Sequence, residues 1–263
     1  MGGPIVEESE PEPVSVKRDG AVLIVTIERP EARNAINLVV AQRIAAAFDE
    51  LDNSPDLRVA VLRGTGDTFS AGADLKAAAR GQRSYVPGRG FAGVVERPPA
   101  KPLIAAVEGW ALGGGFEIVL ACDMVVAGAG ARFGLPEVRR GLVPGGGGAL
   151  RLPQRLPRSI AMEIILSGEP ITAHRAADFG LVNRVVPDGQ ALAAARELAA
   201  AVAEGAPLAL LAAKRIVTES PAWPADQAFE TQREILEPLF RSADVKEGIR
   251  AFREKRKPDW RGI

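Results

Sequence analysis

Three short apolar runs constrain this chain most: Arg58-Val-Ala-Val-Leu62, Leu103-Ile-Ala-Ala-Val107 and Met124-Val-Val-Ala127. Each is short and almost uniformly apolar, the pattern of a strand buried on both faces rather than one with a wet side. Small residues, then helical or polar sequence, follow each run, so strand-turn-helix units recur without a close sequence repeat. Before them, Val14 to Ile27 is two β-branched runs around Asp19-Gly20, which predicts a tight hairpin. From Asn37 the positions Val40, Ile44, Phe48 and Leu51 keep helical spacing until Asn53-Ser54-Pro55, which predicts an amphipathic helix covering that hairpin.

The chain has 263 residues, of which 47% are apolar, enough for one sizeable core. Its 33 Lys and Arg balance 33 Asp and Glu, so no global field favours nucleic acid or an anionic membrane. One Cys and one His preclude an internal disulfide and a zinc site built from such ligands, which points to a reducing cytoplasm and to no metal. The most apolar stretch, Leu103 to Val126, is interrupted by Glu108, Glu117 and Asp123, so no membrane span is expected.

Residues 1–13, acidic and proline-rich, read as a disordered tail. Residues 14–190 form the expected α/β core, within which 77–102, polar and rich in Gly, Arg and Pro, reads as a long functional loop or lid. After Pro187 the segments Ala191 to Glu204, Pro207 to Glu219, Pro224 to Phe240 and Asp244 to Lys257 read as helices, so residues 191–263 are a helical appendage suited to oligomerisation. Gly88-Arg-Gly90-Phe-Ala-Gly93 fits a dinucleotide fingerprint in letters only, because no apolar strand precedes it. His174 reads as solvated or capping, Cys122 as a small buried hydrophobe and Trp110 as core.

Two segments carry the chemistry. In Phe69-Ser-Ala-Gly-Ala-Asp-Leu-Lys76 small residues follow a strand, leaving backbone N–H groups accessible to a ligand. In Ala106 to Leu120 a strand runs into Gly113-Gly114-Gly115 and an apolar helix, where N–H groups are unpaired and the helix dipole is positive. Two N–H groups from separate loops make an oxyanion hole for a polarisable carbonyl. Glu117, just past the glycines, and Glu137, before the Gly141 to Gly148 run, can divide base and acid roles in one apolar pocket. Considered alone, each is also an ordinary helix or loop glutamate.

The motifs Ser70-Ala-Gly-Ala-Asp-Leu-Lys76, Gly113-Gly-Gly-Phe-Glu117 through Cys122-Asp123, and Phe133-Gly-Leu-Pro-Glu137 with Gly141 to Gly145 resemble the crotonase superfamily, and within it the enoyl-CoA hydratases. The resemblance runs from Val14 to Trp260 and takes in Glu28 to Ile36 and Ala251 to Pro258. It implies an α/β spiral of ββα units in two roughly perpendicular sheets, with C-terminal helices that build a homotrimer, commonly paired into a hexamer. It implies that the N–H groups of Ala73 and Gly114 form the oxyanion hole, that Glu117 and Glu137 are the catalytic base and acid, and that Gly145 positions the reacting water. By the same resemblance Ala71, Asp74, Leu75 and Lys76 lie against coenzyme A, as do Ala32 and Arg33, and Phe252 with Lys255 contributes from a neighbouring subunit.

The activity so implied is reversible syn hydration of a trans-2-enoyl-CoA. It needs no metal or redox cofactor, because coenzyme A is part of the acyl-CoA thioester substrate. Isomerisation of a Δ3-enoyl-CoA, and dehydration of a specialised acyl-CoA of the carnitinyl type, are the enzymatic alternatives; a silent acyl-CoA binding protein is the non-enzymatic one. Phe116 and the Arg80 to Arg89 loop are the features expected to shape the acyl pocket. Ala149-Leu150-Arg151 departs from the Thr-Gln-Arg frequent in hydratases, which bears on the substrate more than on the reaction.

Overall fold

The computed structural model describes residues 12–263, so the expected tail at 1–13 lies outside the described residues except for Glu12 and Pro13. Those two are held: Glu12 pairs with Arg43, and Pro13 accepts a hydrogen bond from the Glu28 amide at 2.9 Å. The hairpin follows as β1 (Val14–Asp19) and β2 (Val22–Ile27), with Asp19 paired to Val22, so that Gly20-Ala21 forms the two-residue turn. Helix α1 (Leu38–Asn53) starts where expected, because the Asn37 side chain accepts from the Val40 amide at 2.9 Å, and it packs on the hairpin.

The chain then winds as a spiral in which successive turns give one strand to each of two sheets. The pairs are β3 (Val59–Gly64) with β4 (Thr68–Ser70), and, after α2 (Leu75–Ala79) and the ribbon β5 (Tyr85–Val86) and β6 (Gly90–Phe91), β7 (Leu103–Val107) with β8 (Trp110–Leu112). Helix α3 (Gly114–Ala121) leads to β9 (Met124–Gly128) and β10 (Arg132–Gly134). Helices α4 (Gly148–Arg155) and α5 (Arg158–Ser167), then β11 (Ile171–Thr172), α6 (Ala173–Asp178) and β12 (Arg184–Val186), complete the turns. The six-stranded sheet has the order β1-β2-β3-β7-β9-β12, and the four-stranded sheet β11-β10-β8-β4. Apart from β1 and β11, every pairing within the two sheets is parallel.

The apolar runs are buried on both faces, as their composition requires. Ala60 and Leu62 of β3, with Leu103, Ala105 and Val107 of β7, face the main core beside Phe48, Phe116 and Phe133. The alternating residues Val59, Val61, Ile104 and Ala106 face the other way, where α7 (Ala191–Ala203) lays Ala191, Ala195 and Ala199 against them. Three alanines at four-residue spacing let helix and sheet approach closely. The remaining helices are α8 (Pro207–Glu219), α9 (Ala228–Phe240) and α10 (Ala243–Glu254). Among the described residues no helix is long and apolar enough to cross a membrane.

Segment 77–102 differs from a lid. It folds back through the β5–β6 ribbon and buries Ala92, Val94 and Val95 in the core. The glycines that mimic a dinucleotide fingerprint serve this path: a Cβ on Gly93 would lie 2.2 Å from the Ala41 carbonyl oxygen, so only glycine lets the segment touch α1. Trp110 corrects its expected burial, being 45% exposed on β8. His174 is exposed in the first turn of α6, and Cys122 is buried, its thiol pushed up to about 12 by burial and by Asp123.

Candidate active site

Three loops leave the carboxyl ends of the parallel strands β4, β8 and β10, the side of such sheets where ligands bind. After β4 the backbone of Gly72 to Asp74 brackets Ile36: the Ile36 amide donates to the Gly72 carbonyl at 2.8 Å and the Asp74 amide to the Ile36 carbonyl at 2.9 Å. The Ala71 amide donates to the Arg33 carbonyl at 3.0 Å, so the Ala32-Arg33 turn and the Ala71 to Lys76 segment form one rim. Arg33, Ala71, Ala73, Leu75 and Lys76 are exposed along it, and Ala32 is half-buried.

Asp74, expected against coenzyme A, has its carboxylate engaged within the chain. It caps α2 by accepting from the Lys76 and Ala77 amides at 3.1 and 3.0 Å, and it pairs with Arg29 at 3.0 Å. Burial raises its pKa, but the Ala77 amide and the Arg29 guanidinium outweigh burial and hold it below the ordinary value. Arg29 also donates to the Ala35 carbonyl at 2.6 Å, so this pair braces the rim.

After β8, the Gly113 amide donates to the Gly134 carbonyl at 2.9 Å and Gly114 begins α3. Gly72, at φ +90°, lies against that start: a Cβ on it would sit 2.8 Å from the Gly114 nitrogen. Ala73 and Gly114 are therefore neighbours, and neither amide donates to another backbone carbonyl among the described residues. The Phe91 ring, from the β5–β6 ribbon, covers Gly114, since a Cβ there would meet ring carbons at 2.5 and 2.6 Å.

Both glutamates converge on this place. Glu117, on the first turn of α3, is buried to 4% exposure, and its Oε1 accepts from the Gly146 and Gly148 amides at 2.7 and 2.9 Å. Glu137 follows β10 on a short 3-10 turn, with Oε1 3.1 Å from where a Gly113 Cβ would stand and Oε2 buried without a hydrogen-bond partner. Burial raises both carboxyls above the ordinary glutamate value. For Glu117 the two amides and the Arg151 charge oppose the rise; for Glu137 the Glu117 charge adds to it.

A family model for enoyl-CoA hydratase/isomerase matches residues 17–262. The chain belongs to the enoyl-CoA hydratase/isomerase family. It is 44% identical to enoyl-CoA hydratase EchA19 of Mycobacterium tuberculosis, over 96% of this chain and 97% of that protein. It is 42% identical to the carnitinyl-CoA dehydratase of Salmonella typhi, over 95% of this chain and 99% of that one. The crystal structure of enoyl-CoA hydratase EchA1 from Mycobacterium marinum superposes with a TM-score of 0.95 at 51% identity, covering 96% of this chain and 100% of that chain. The expected fold, a spiral with two sheets and C-terminal helices, is the one observed.

Phe116 departs from its expected place at the acyl pocket of an enoyl-CoA hydratase/isomerase. Phe116 lies fully buried with its ring 5.5 Å from that of Phe133, so it belongs to the core, and Phe91 takes its place beside the loops. Gly145 lies exposed on the glycine loop, while the Gly146 and Gly148 amides hold the Glu117 carboxylate. Phe252, 86% exposed, and Lys255, the left-handed cap of α10, stand on the C-terminal helix and not in this chain's own loop cluster. The helix is tied to the chain end, where Asp244 accepts from the Arg261 amide at 2.8 Å and Glu247 from the Asp259 amide at 2.9 Å. The Gly146 and Gly148 contacts had a sequence signal, a glycine run after Glu137, but nothing in it says which amides turn inward.

The raised carboxyls make a stability prediction for this enoyl-CoA hydratase/isomerase chain. A glutamate whose folded pKa lies above its unfolded value costs nothing at low pH, where both states are protonated, and destabilises the fold as pH rises through the folded pKa. Glu137→Gln should therefore raise Tm at pH above neutrality and leave it unchanged near the pKa of an unfolded glutamate, as read by calorimetry across pH. An equal shift at all pH values would contradict the buried, unpartnered carboxyl.

Proposed function

We propose that the protein is an enoyl-CoA hydratase that adds water reversibly, in syn fashion, to a trans-2-enoyl-CoA. The thioester oxygen takes the Ala73 and Gly114 amides, which stabilise the charge that develops as the double bond becomes an enolate. Glu117 Oε2 accepts a proton from water as the water oxygen bonds to C3, and the π electrons move toward the thioester. Glu137 then gives its proton to C2, and the two carboxyls exchange protons with solvent before the next turnover.

The observation that supports this division most is the unequal hydrogen bonding of two converging carboxyls. Glu117 Oε1 holds two amides, which favours the ionised form of a base, whereas Glu137 Oε2 has no partner, which favours the protonated form of an acid. Coenzyme A enters as part of the substrate, along the rim of Ala32, Arg33, Ala71, Leu75 and Lys76. A homotrimer or a pair of trimers suits the apolar side chains that α9 and α10 leave exposed, Phe229, Phe240, Ile249 and Phe252, and would bring Phe252 and Lys255 to a neighbour's site. A reducing cytoplasm suits the buried free thiol.

Dehydration of a carnitinyl-type thioester is the second reading, supported by the 42% identity to the Salmonella typhi carnitinyl-CoA dehydratase. It runs the same two proton transfers in reverse. The test follows the absorbance of the conjugated enoyl thioester: its loss with crotonyl-CoA and with a long-chain trans-2-enoyl-CoA, and its gain with carnitinyl-CoA. Loss with an enoyl substrate supports the hydratase and brackets chain length. Gain with carnitinyl-CoA alone replaces it by the dehydratase, and no change with all three rejects both.

A further inference from the structure

Arg151 has no role in the reaction as written above, yet it sits behind the base. It lies on α4, and its amide donates to the Gly147 carbonyl at 2.8 Å, closing the loop that holds Glu117. Its guanidinium folds back over the same loop. Nη1 occupies the space a Gly147 side chain would need, 2.3 Å from the Cβ position, and Nη2 donates to the Val95 carbonyl. Val95 ends the segment that places Phe91 over Gly114, so one side chain joins the glycine loop to that segment.

The charge and the carboxylate do not touch. No ion pair joins Arg151 to Glu117 among the described residues; the guanidinium acts through space, opposing the rise that burial imposes on the carboxyl. Glu117 in turn opposes the cost of burying Arg151. The other charged groups near the pair are Glu137 and, beside it, Arg140, with Arg155 and the Cys122 thiol near Arg151. Arg155, one turn further along α4, supplies the contrast. It donates to the Leu120 and Asp123 carbonyls at 3.4 and 2.9 Å, at the end of α3, and makes no hydrogen bond to the glycine loop among the described residues.

We propose that Arg151 is a positioning residue for the reaction: its guanidinium, set over Gly147 and bonded to the Val95 carbonyl, braces the 145–148 loop that holds Glu117 Oε1 and places a positive charge behind that carboxyl without occupying the oxygen that takes the proton. This rests on Glu117 and Glu137 acting as base and acid. A direct Arg–Glu hydrogen bond would stabilise the carboxylate more but would compete with the reacting water for Oε2.

The test compares Arg151→Gln, Arg151→Met, Arg151→Lys and Arg155→Gln. Two readouts are taken across pH: kcat/KM for crotonyl-CoA, and the infrared C=O stretch of the protonated Glu117 carboxyl, assigned by its loss in Glu117→Gln. In the neutral variants the acid limb of the rate profile moves to higher pH, and kcat/KM falls about tenfold more at the acid end than at the alkaline end. The Glu117 band titrates upward with it. Arg151→Lys restores most of the limb, and Arg155→Gln leaves it in place. Whichever neutral variant is folded carries the comparison, and a Glu117 band that titrates as in the unsubstituted protein overturns the proposal. If the unsubstituted protein acts on none of crotonyl-CoA, a long-chain trans-2-enoyl-CoA and carnitinyl-CoA, the activity reading fails, and the infrared titration alone still decides whether the Arg151 charge acts on Glu117.

Discussion

Glu117→Gln lowers kcat for crotonyl-CoA hydration by about a thousandfold and leaves binding of the coenzyme A ester nearly unchanged. The amide keeps the size of the side chain, and its oxygen can still accept from the Gly146 and Gly148 amides at the Oε1 position. What is lost is the basic oxygen. A water facing a carboxamide has nothing to receive its proton as the bond to C3 forms, so the loss falls on the chemical step and not on the ground-state complex. Steady-state rates with ligand binding measured separately check this, and a variant within tenfold of the parent would remove Glu117 from the mechanism.

Gly72→Ala produces the second large loss, about a hundredfold or more in kcat, together with a lower Tm. Gly72 holds φ +90°, and a methyl group there meets the Gly114 nitrogen at 2.8 Å and the Leu112 carbonyl oxygen at 3.0 Å, both of them backbone atoms that cannot swing away. The loop bearing Ala73 must back off from the start of α3. The two amides then no longer converge on one oxygen, and a donor displaced from a developing oxyanion costs about 3 to 4 kcal/mol. Ala73→Gly is the control, because it keeps the amide and adds no atom. Parallel kcat and calorimetric measurements separate the two effects: a stability loss with an unchanged kcat would mean that the amides do not act together.

The hairpin, α1 and the three buried runs were legible because period and composition report burial directly, and Asn37 marks its own helix start. The glutamates were legible only through resemblance, since any Glu near a glycine run reads the same from spacing. Residues whose contacts are made across the spiral were not legible. Phe91 sits in a polar segment with no periodicity, and it reaches Gly114 only because Gly93 lets the ribbon press against α1. Phe116, next to Glu117 in sequence, turns away from it, since successive helix positions point about 100° apart. Trp110 lies in an apolar context, but β8 leaves its side chain on the face of the four-stranded sheet away from the core, where it is 45% exposed.

The loops bearing Ala73, Gly114 and Glu137 spring from β4, β8 and β10, which are consecutive neighbours in one parallel ladder. Hydrogen-bonded strands stand about 4.8 Å apart. The ladder therefore acts as a ruler: the Ala73 and Gly114 amides and the backbone of Glu137 are spaced by strand geometry that no side chain sets. Substitutions that reshape the walls around an acyl chain leave the ruler's divisions untouched. A chain built this way can change what it processes by repainting its loops while the distances between its reacting groups stay fixed.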